Sequence, residues 1–258
     1  MSWYGTGITD CGRVRRSNQD AFAVLNDHAI WIVADGMGGR AGGDVASRLA
    51  VDTLVSALAH DRTGGVVRDL SGDGLGTALG RAVRSSNQAI RDEALKRPAL
   101  LGMGTTVVIA AISQETSEMT LAHVGDSRAY LLRGSDLTRL TRDHSFVEDA
   151  LSQGQLTVEE ALEHPLRHVL TRALGPETDV DPDLMVHPLQ RDDVLLLCTD
   201  GLTKMLSDAH IMSLLARTRE SPDRACAALV EEANRRGGDD NISVILVRNE
   251  LTKQGAGL

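Results

Sequence analysis

Apolar residues along this chain fall into short runs that Gly and Asp interrupt. Residues 21–25, 29–34, 105–112, 119–124, 129–133, 194–198 and 242–247 are such runs, several of them rich in Val, Ile and Leu, and each predicts a β-strand. The runs at 119–124 and 129–133 flank a tight link, Gly125-Asp126-Ser127-Arg128, and that spacing predicts a β-hairpin. Two longer stretches have helical periodicity. Residues 44–60 place Val45, Leu49, Thr53 or Leu54, and Leu58 on one face, with Arg48, Asp52 and Ser56 on another. Residues 75–96 repeat Leu75, Leu79, Val83 and Ile90 at helical spacing. Thr157-Val158-Glu159-Glu160 has the form of a capping box opening a short helix. Ser221-Pro222-Asp223 combines an N-cap, a proline at the first helical position and an acid in the first turn.

No internal repeat and no Pro-rich or Ser-rich linker divides the chain. Residues 1–251 are therefore expected to form one domain, with 252–258 a frayed tail. Residues 64–76 are the loosest stretch and lead into a helix. The segment 145–175 carries helical and loop signals between strand-rich regions, and is expected to be a flap inserted over a surface.

Composition narrows the class. At 258 residues, 42% hydrophobic and 24% charged, the chain can bury a substantial core without disulfides, which excludes disordered, collagen-like and disulfide-stapled architectures. Aromatic residues are only 2%, so the core rests on Val, Leu, Ile and Ala, and base-stacking platforms are disfavoured. The net charge of −9 argues against nucleic acid and anionic membrane surfaces as partners. Cys11, Cys198 and Cys226 are odd in number and widely spaced, without a Cys-x-x-Cys pair, so reduced thiols are expected. No basic segment followed by an apolar one opens the sequence, and no apolar run is long enough to span a bilayer. A cytoplasmic protein without a membrane anchor is the expectation.

The chemistry lies at the ends of the apolar runs. Val33-Ala34-Asp35-Gly36, Val124-Gly125-Asp126-Ser127, Cys198-Thr199-Asp200-Gly201 and Gly238-Asp239-Asp240-Asn241 each put an aspartate beside a glycine or turn where a buried run ends or begins. Taken singly, each is as well explained by the frequency of Asp-Gly in turns. Four together point to a convergence of acids. Clustered carboxylates resist joint ionisation unless cations lie among them. Oxygen-only ligands without His or Cys suit Mg²⁺ or Mn²⁺. Glycine at position 36 lets a backbone carbonyl approach a metal closely.

Seven blocks in order carry a family resemblance over about residues 7–247. They are Gly12-Arg13-Val14-Arg15-Arg16-Ser17-Asn18-Gln19-Asp20, Val33-Ala34-Asp35-Gly36-Met37-Gly38-Gly39, Gly104-Thr105-Thr106, Val124-Gly125-Asp126-Ser127-Arg128, Leu140-Thr141-Arg142-Asp143-His144-Ser145, Cys198-Thr199-Asp200-Gly201 and Gly238-Asp239-Asp240-Asn241. The sequence resembles the metal-dependent protein phosphatases, the PPM or protein phosphatase 2C-like family. Ser17-Asn18-Gln19-Asp20-Ala21-Phe22 and the run from Ala41 to Asp52 resemble the compact bacterial type, including cyanobacterial phosphatases of the phosphorylated PII signalling protein.

The resemblance implies an α+β fold, a central sandwich of two antiparallel β-sheets flanked by helices, with a flap subdomain. It implies hydrolysis of phosphoserine and phosphothreonine by in-line attack of a metal-bridging water, with two metals about 3.5–4 Å apart lowering the water's pKa. Asp35 matches the carboxylate shared by both metals, and the carbonyl of Gly36 a ligand of one. Asp200 and Asp240 match ligands of the other, and Asp126 with Asp200 matches a third, weaker site. Two or three Mn²⁺ or Mg²⁺ per chain are thus implied. Asp20 would support the cluster, Asn241 would orient its neighbours, and Asp193 and Asp239 read as supporting or turn residues. Arg15 matches the phosphate-binding arginine, whose planar fork suits two phosphate oxygens; Arg13 and Arg16 do not match on spacing. Met37 replaces the histidine that eukaryotic members carry after Asp-Gly, which leaves metal-bound water as the expected proton donor. Arg40 stands where related bacterial enzymes often have histidine, and is read as a solvated loop residue.

The remaining signals are weaker. His123 is expected to be a core residue with a hydrogen bond, and His144 to be structural. His164 and His168 have i,i+4 spacing, but Pro165 argues against zinc. Gly72-Asp73-Gly74 is a turn rather than a calcium loop. Met103, Met205 and Met212 are gap fillers. Leu166, Val169 and Leu170 either offer an apolar contact to substrate or pack the flap down. Expected partners are phosphorylated proteins, with PII or Ser/Thr kinase substrates as candidates, and a monomer is the family's default. The competing readings are a catalytically silent scaffold, a hydrolase of small phosphate esters and a nucleic-acid-binding protein. Loss of Asp35, Asp200 or Asp240 would favour the scaffold, and all three are present.

Overall fold

The computed structural model describes residues 2–59, 73–113, 115–218 and 221–249. The expected tail at 252–258, residues 64–72 of the loose stretch, and the side chain of Arg40 lie outside the described residues.

Among the described residues, eleven strands form two antiparallel sheets. Sheet A takes the order β1-β11-β10-β7-β8, from β1 (Trp3–Asp10), β11 (Ile242–Asn249), β10 (Val194–Cys198), β7 (Arg128–Arg133) and β8 (Asp136–Arg139). Sheet B takes the order β2-β3-β5-β6-β9, from β2 (Asp20–Leu25), β3 (Ile30–Met37), β5 (Val107–Ile112), β6 (Glu118–Val124) and β9 (Asp183–Pro188). A short β4 (Gly104–Thr105) pairs with the end of β3. The helices are α1 (Gly39–Ala59), α2 (Asp73–Lys96), α3 (Phe146–Ser152), α4 (Val158–Glu163), α5 (Asp200–Thr203), α6 (Asp208–Arg217) and α7 (Pro222–Arg235).

Why the central strands read as unbroken apolar runs is now evident. Each is covered on both faces, so its two alternating sets of side chains enter two different cores. On β3, Ile30 and Ile32 pack under α1 and α2, whereas Trp31 and Val33 point between the sheets. On β10, Leu195 and Leu197 point between the sheets, whereas Leu196 and Cys198 pack under α6 and α7. The result is four layers, helices–sheet B–sheet A–helices, as expected.

The predicted strands and both long helices are present, and Thr157 and Glu160 close the expected capping box. The hairpin expected at 119–133 is not. β6 already carries β5 and β9 on its two edges, so β7 has no edge of it to pair with. Gly125, at φ +107°, turns the chain out of sheet B, and β7 joins β10 and β8 in sheet A. The link that holds Asp126 therefore crosses the sandwich. All three cysteines are free thiols. Among the described residues, no helix is long and apolar enough to cross a membrane.

Candidate metal and phosphate site

The expected acids meet where the two sheets end together. Asp20 opens β2 and is the register partner of Asp35 on β3, so sheet B contributes an adjacent pair. Sheet A contributes Asp200, just after β10, and Asp240, just before β11. Asp126 sits in the link between the sheets. A cavity of about 1230 Å³ opens here, with Asp35, Gly36, Asp126, Asp200 and Asp240 in its wall, together with Arg15. Arg13 and Arg16 are not among its lining residues.

Asp35 is held through its backbone, which leaves its carboxylate for the cavity. Its N–H donates to Thr106 Oγ1 at 3.0 Å, and its carbonyl accepts from Thr106 N at 2.9 Å and Thr105 Oγ1 at 2.8 Å. That is the task of the Gly104-Thr105-Thr106 block. Thr106 Oγ1 in turn lies 2.7 Å from Ser127 Oγ, which ties Asp35 to the Asp126 link. Gly36 admits no side chain: a Cβ would run into the carbonyl oxygens of Gly43 and Gln19. Asp20 accepts from Thr199 Oγ1 at 2.9 Å and Ser243 Oγ at 2.7 Å. Asn241 Oδ1 accepts from Gln19 N at 2.8 Å, and its Nδ2 donates to the carbonyls of Cys11 and Ser17. Asn241 thus fastens the loop that carries Arg15 to the edge of the cavity.

Burial and mutual repulsion shape the charges. Burial, then the carboxylates of Asp20, Asp200, Asp126 and Asp240, push Asp35 well above the usual carboxylate range. Asp20 and Asp126 are each pushed up to about 7, chiefly by burial. Asp200 is also raised by burial, against the opposing pull of Lys204. Burial acts the same way on Asp240, but Lys204 and Arg15 outweigh it and hold that carboxyl low.

Two buried oxygens, Asp20 Oδ1 and Asp200 Oδ1, have no hydrogen-bond partner. Orphaned carboxylate oxygens in an all-oxygen cluster fit a hard divalent cation, and a buried acid cluster is costly without one. Among the described residues, no three His, Cys, Asp or Glu side chains are already arranged around one metal point. Cationic side chains engage the acids instead. Arg15 grips Asp240 with Nε and Nη2, both at 2.9 Å. Lys204 Nζ lies 2.5 Å from Asp200 Oδ2 and 2.9 Å from Asp240 Oδ2.

The protein phosphatase 2C family model matches residues 9–233. The chain belongs to that family. Its match includes the serine/threonine phosphatase Stp of Listeria monocytogenes, 40% identical over 250 residues that cover 96% of each chain. The crystal structure of the Mycobacterium tuberculosis serine/threonine phosphatase PstP superposes with a TM-score of 0.84 at 35% identity, covering 97% of this chain and 100% of that one. A PstP catalytic domain in complex with two manganese ions gives 0.81 at 34% identity, covering 95% and 97%. The protein is thus a serine/threonine protein phosphatase of a metal-dependent family, and phosphoproteins are its substrate class. The relatives named here do not single out the PII-directed type.

Not every expectation about the phosphatase holds. His123 is buried, but neither ring nitrogen has a hydrogen-bond partner; its ring packs against His144 at 4.6 Å instead. Asp193 lies at the opposite end of β10, paired with Arg133 at 2.7 Å and accepting from Gln190 N, so it is a turn residue remote from the cavity. α4 ends at Glu163, so His164 and His168 share no helix, and His164 Nδ1 accepts from Leu166 N. Asp73 begins α2. Met103 is buried in the core, as expected of a gap filler.

Sequence reasoning passed over three groups: Lys204, the Arg128–Asp143 pair, and the hydroxyls of Thr199 and Ser243. For Lys204 a signal existed, because Asp200 opens a helical turn and residue i+4 faces it. The hydroxyls gave none that pointed to Asp20: Thr199 stands in the Cys198-Thr199-Asp200-Gly201 block but reads as the residue before Asp200, and Ser243 is an ordinary strand residue.

Proposed function

We propose that this phosphatase hydrolyses phosphoserine and phosphothreonine at the cavity between the ends of the two sheets, without a protein nucleophile. The observation that carries this reading is the convergence of Asp35, Asp126, Asp200 and Asp240 on one cavity that Arg15 also lines. Asp35 and the Gly36 carbonyl would hold one cation and share Asp35 with a second, which Asp200 and Asp240 complete. Asp126 with Asp200 would hold a third. Mn²⁺ and Mg²⁺ both suit this donor set. When bound, such cations supply Lewis-acid chemistry, lowering the pKa of water and offsetting phosphoryl charge.

The protein's own groups do the remainder. Arg15 presents a planar fork at the cavity rim and would exchange Asp240 for two phosphate oxygens of the substrate. Thr105 and Thr106 fix the Asp35 backbone, so that its carboxylate does not wander. Asp20, held by Thr199 and Ser243, keeps a second carboxylate beside it. Water attacks phosphorus opposite the serine or threonine oxygen, which leaves and is protonated. Met37 carries no proton to give, and a solvent molecule in the cavity would protonate the leaving oxygen.

Residues 1–251 are proposed as a single catalytic domain in which 145–175 forms the flap. Leu151, Val158, Leu162 and Leu170 extend the cavity wall from the acids into that segment. The flap would select among phosphoproteins, with PII and Ser/Thr kinase substrates as candidates for screening. The test is phosphate release from a phosphothreonine peptide with Mn²⁺, with Mg²⁺ and with chelator. Metal-dependent turnover should collapse in Asp200→Ala, and KM should rise about tenfold in Arg15→Ala, as for one lost charge-assisted contact. A folded protein without turnover under any metal would favour the silent scaffold.

A further inference from the structure

The lysine at position 204 stands out because both of its partners are acids assigned above to cation binding. Its backbone N–H closes the turn of α5 onto the Asp200 carbonyl at 2.8 Å. Its side chain then folds back, and Nζ bridges Asp200 Oδ2 and Asp240 Oδ2 at 2.5 and 2.9 Å. Those two carboxylates stand beside the ends of different strands of sheet A, β10 and β11, and the ammonium is the charge that joins them. The Lys204 side chain is 30% exposed and lines the cavity, so it has an open side to retreat to.

Asp240 has two cationic partners of different kinds. Arg15 holds it through a rigid two-pronged fork. Lys204 holds it as a point charge on a flexible four-carbon stem, which carries no preferred angle and can move by rotamer changes alone. A divalent cation held by Asp200 and Asp240 would draw on the same two carboxylates that the ammonium engages. Ammonium and metal therefore compete for one pair of carboxylates. A metal ion at the pair would also sit against a positive charge unless the lysine withdraws.

We propose that Lys204 is a displaceable counter-ion of the metal centre. It holds Asp200 and Asp240 together before a divalent cation is loaded, releases the pair when one binds, and so weakens the site's affinity for metal. This rests on the reading of Asp200 and Asp240 as cation ligands.

Calorimetric titration of Mn²⁺ into the full chain tests it, with Lys204→Met, Lys204→Arg and Asp200→Asn alongside. Lys204→Met should bind Mn²⁺ on the order of tenfold more tightly, the value of one charged hydrogen bond no longer broken. Lys204→Arg, which keeps the charge but holds carboxylates through a rigid fork, should bind Mn²⁺ no more tightly than the wild type. The metal-free Lys204→Met protein should melt lower than wild type yet gain more from Mn²⁺, because Asp200 loses its ammonium and Asp240 keeps only Arg15 until the metal arrives. A second readout uses the wild-type protein alone. Acetylation of Lys204, followed by mass spectrometry, should be slow without Mn²⁺ and faster with it. Unchanged or weaker Mn²⁺ affinity in Lys204→Met overturns the inference while Asp200→Asn still loses binding. Acetylation that Mn²⁺ leaves unchanged or slows overturns it even if that variant fails to fold. Undiminished Mn²⁺ binding in Asp200→Asn overturns the ligand assignment itself, and this inference with it.

Discussion

The guanidinium of Arg128 closes on the carboxylate of Asp143, with Nε at 2.9 Å from Oδ1 and Nη2 at 2.6 Å from Oδ2. The pair joins two sequence blocks, Gly125-Asp126-Ser127-Arg128 and Asp143-His144-Ser145. The next residue strengthens the joint: His144 N donates to the Gly125 carbonyl, and Gly125 N donates to His144 Nδ1. The link that bears Asp126 is therefore clamped by the residues that lead into segment 145–175. Arg128→Ala leaves a mostly buried Asp143 with only the more distant Arg139, at 3.9 Å, as counter-charge and is expected to cost about 2 to 3 kcal/mol, measurable by urea denaturation. Arg128→Lys should recover only part of this, because an ammonium cannot reproduce the fork.

The acid cluster sets a pH dependence that metal should reverse. Asp20 and Asp126 are raised from 3.8 to about 7 in the folded protein. Between those values the folded state keeps protons that the unfolded chain has released. The contribution of these groups to stability is thus present below pH 3.8 and lost as the pH rises through 7. In chelator, the melting temperature should have a component that falls from about pH 5 to about pH 8, and Asp20→Asn should flatten it. Mn²⁺ should raise the melting temperature more at the higher pH, since ligands must be deprotonated.

His123 pulls in the opposite direction. Burial, helped by His144, depresses it from 6.5 to about 3. The unfolded chain therefore binds a proton over that window that the folded protein refuses. Stability from this residue is full above pH 6.5 and lost as the pH falls towards 3. His123→Leu has no hydrogen bond to break, because neither ring nitrogen has a partner. Equilibrium denaturation at about pH 5 and about pH 7.5 should show the variant losing less stability on acidification than the wild type.

Segment 145–175 should control selectivity more than chemistry. Phe146, Val158, Leu162, Leu166 and Val169 are exposed along it, and the acids lie elsewhere. Exchange of the segment with that of a relative should change relative rates on different phosphoproteins while activity on a small aryl phosphate changes less. Equal effects on both would assign the segment to catalysis.

How far the sequence foretold this molecule depended on how local each signal was. The strands buried on both faces announced themselves, because two cores fill positions 30–34 of β3 and all of β5 and β10 with apolar residues. Strand β1 was illegible. Gly5 and Gly7 look like turn residues, but they are small because Trp31 and Phe22 lie against them. Strand β9 was also missed, as an edge strand closed by Pro188 with little apolar alternation. The Asp-Gly blocks located the site, but not the pairing inside it. That Asp35 is pinned by two threonines, or that Lys204 reaches Asp240 across 36 residues, depends on which strands lie side by side. The hairpin expectation failed for the same reason: a short link reports proximity in sequence, whereas the occupied edges of β6 decide where β7 can go.

Because Asp20 and Asp35 ride on one sheet and Asp200 and Asp240 on the other, the acids span the sandwich like the jaws of a caliper. The gap they measure is set by the side chains between the sheets, among them Val33, Leu197 and Ile245. A methyl group gained or lost in that layer changes the opening of the jaws without touching a charged residue. Core residues of this protein thus answer to two selections at once, one for packing and one for the bite of its acids.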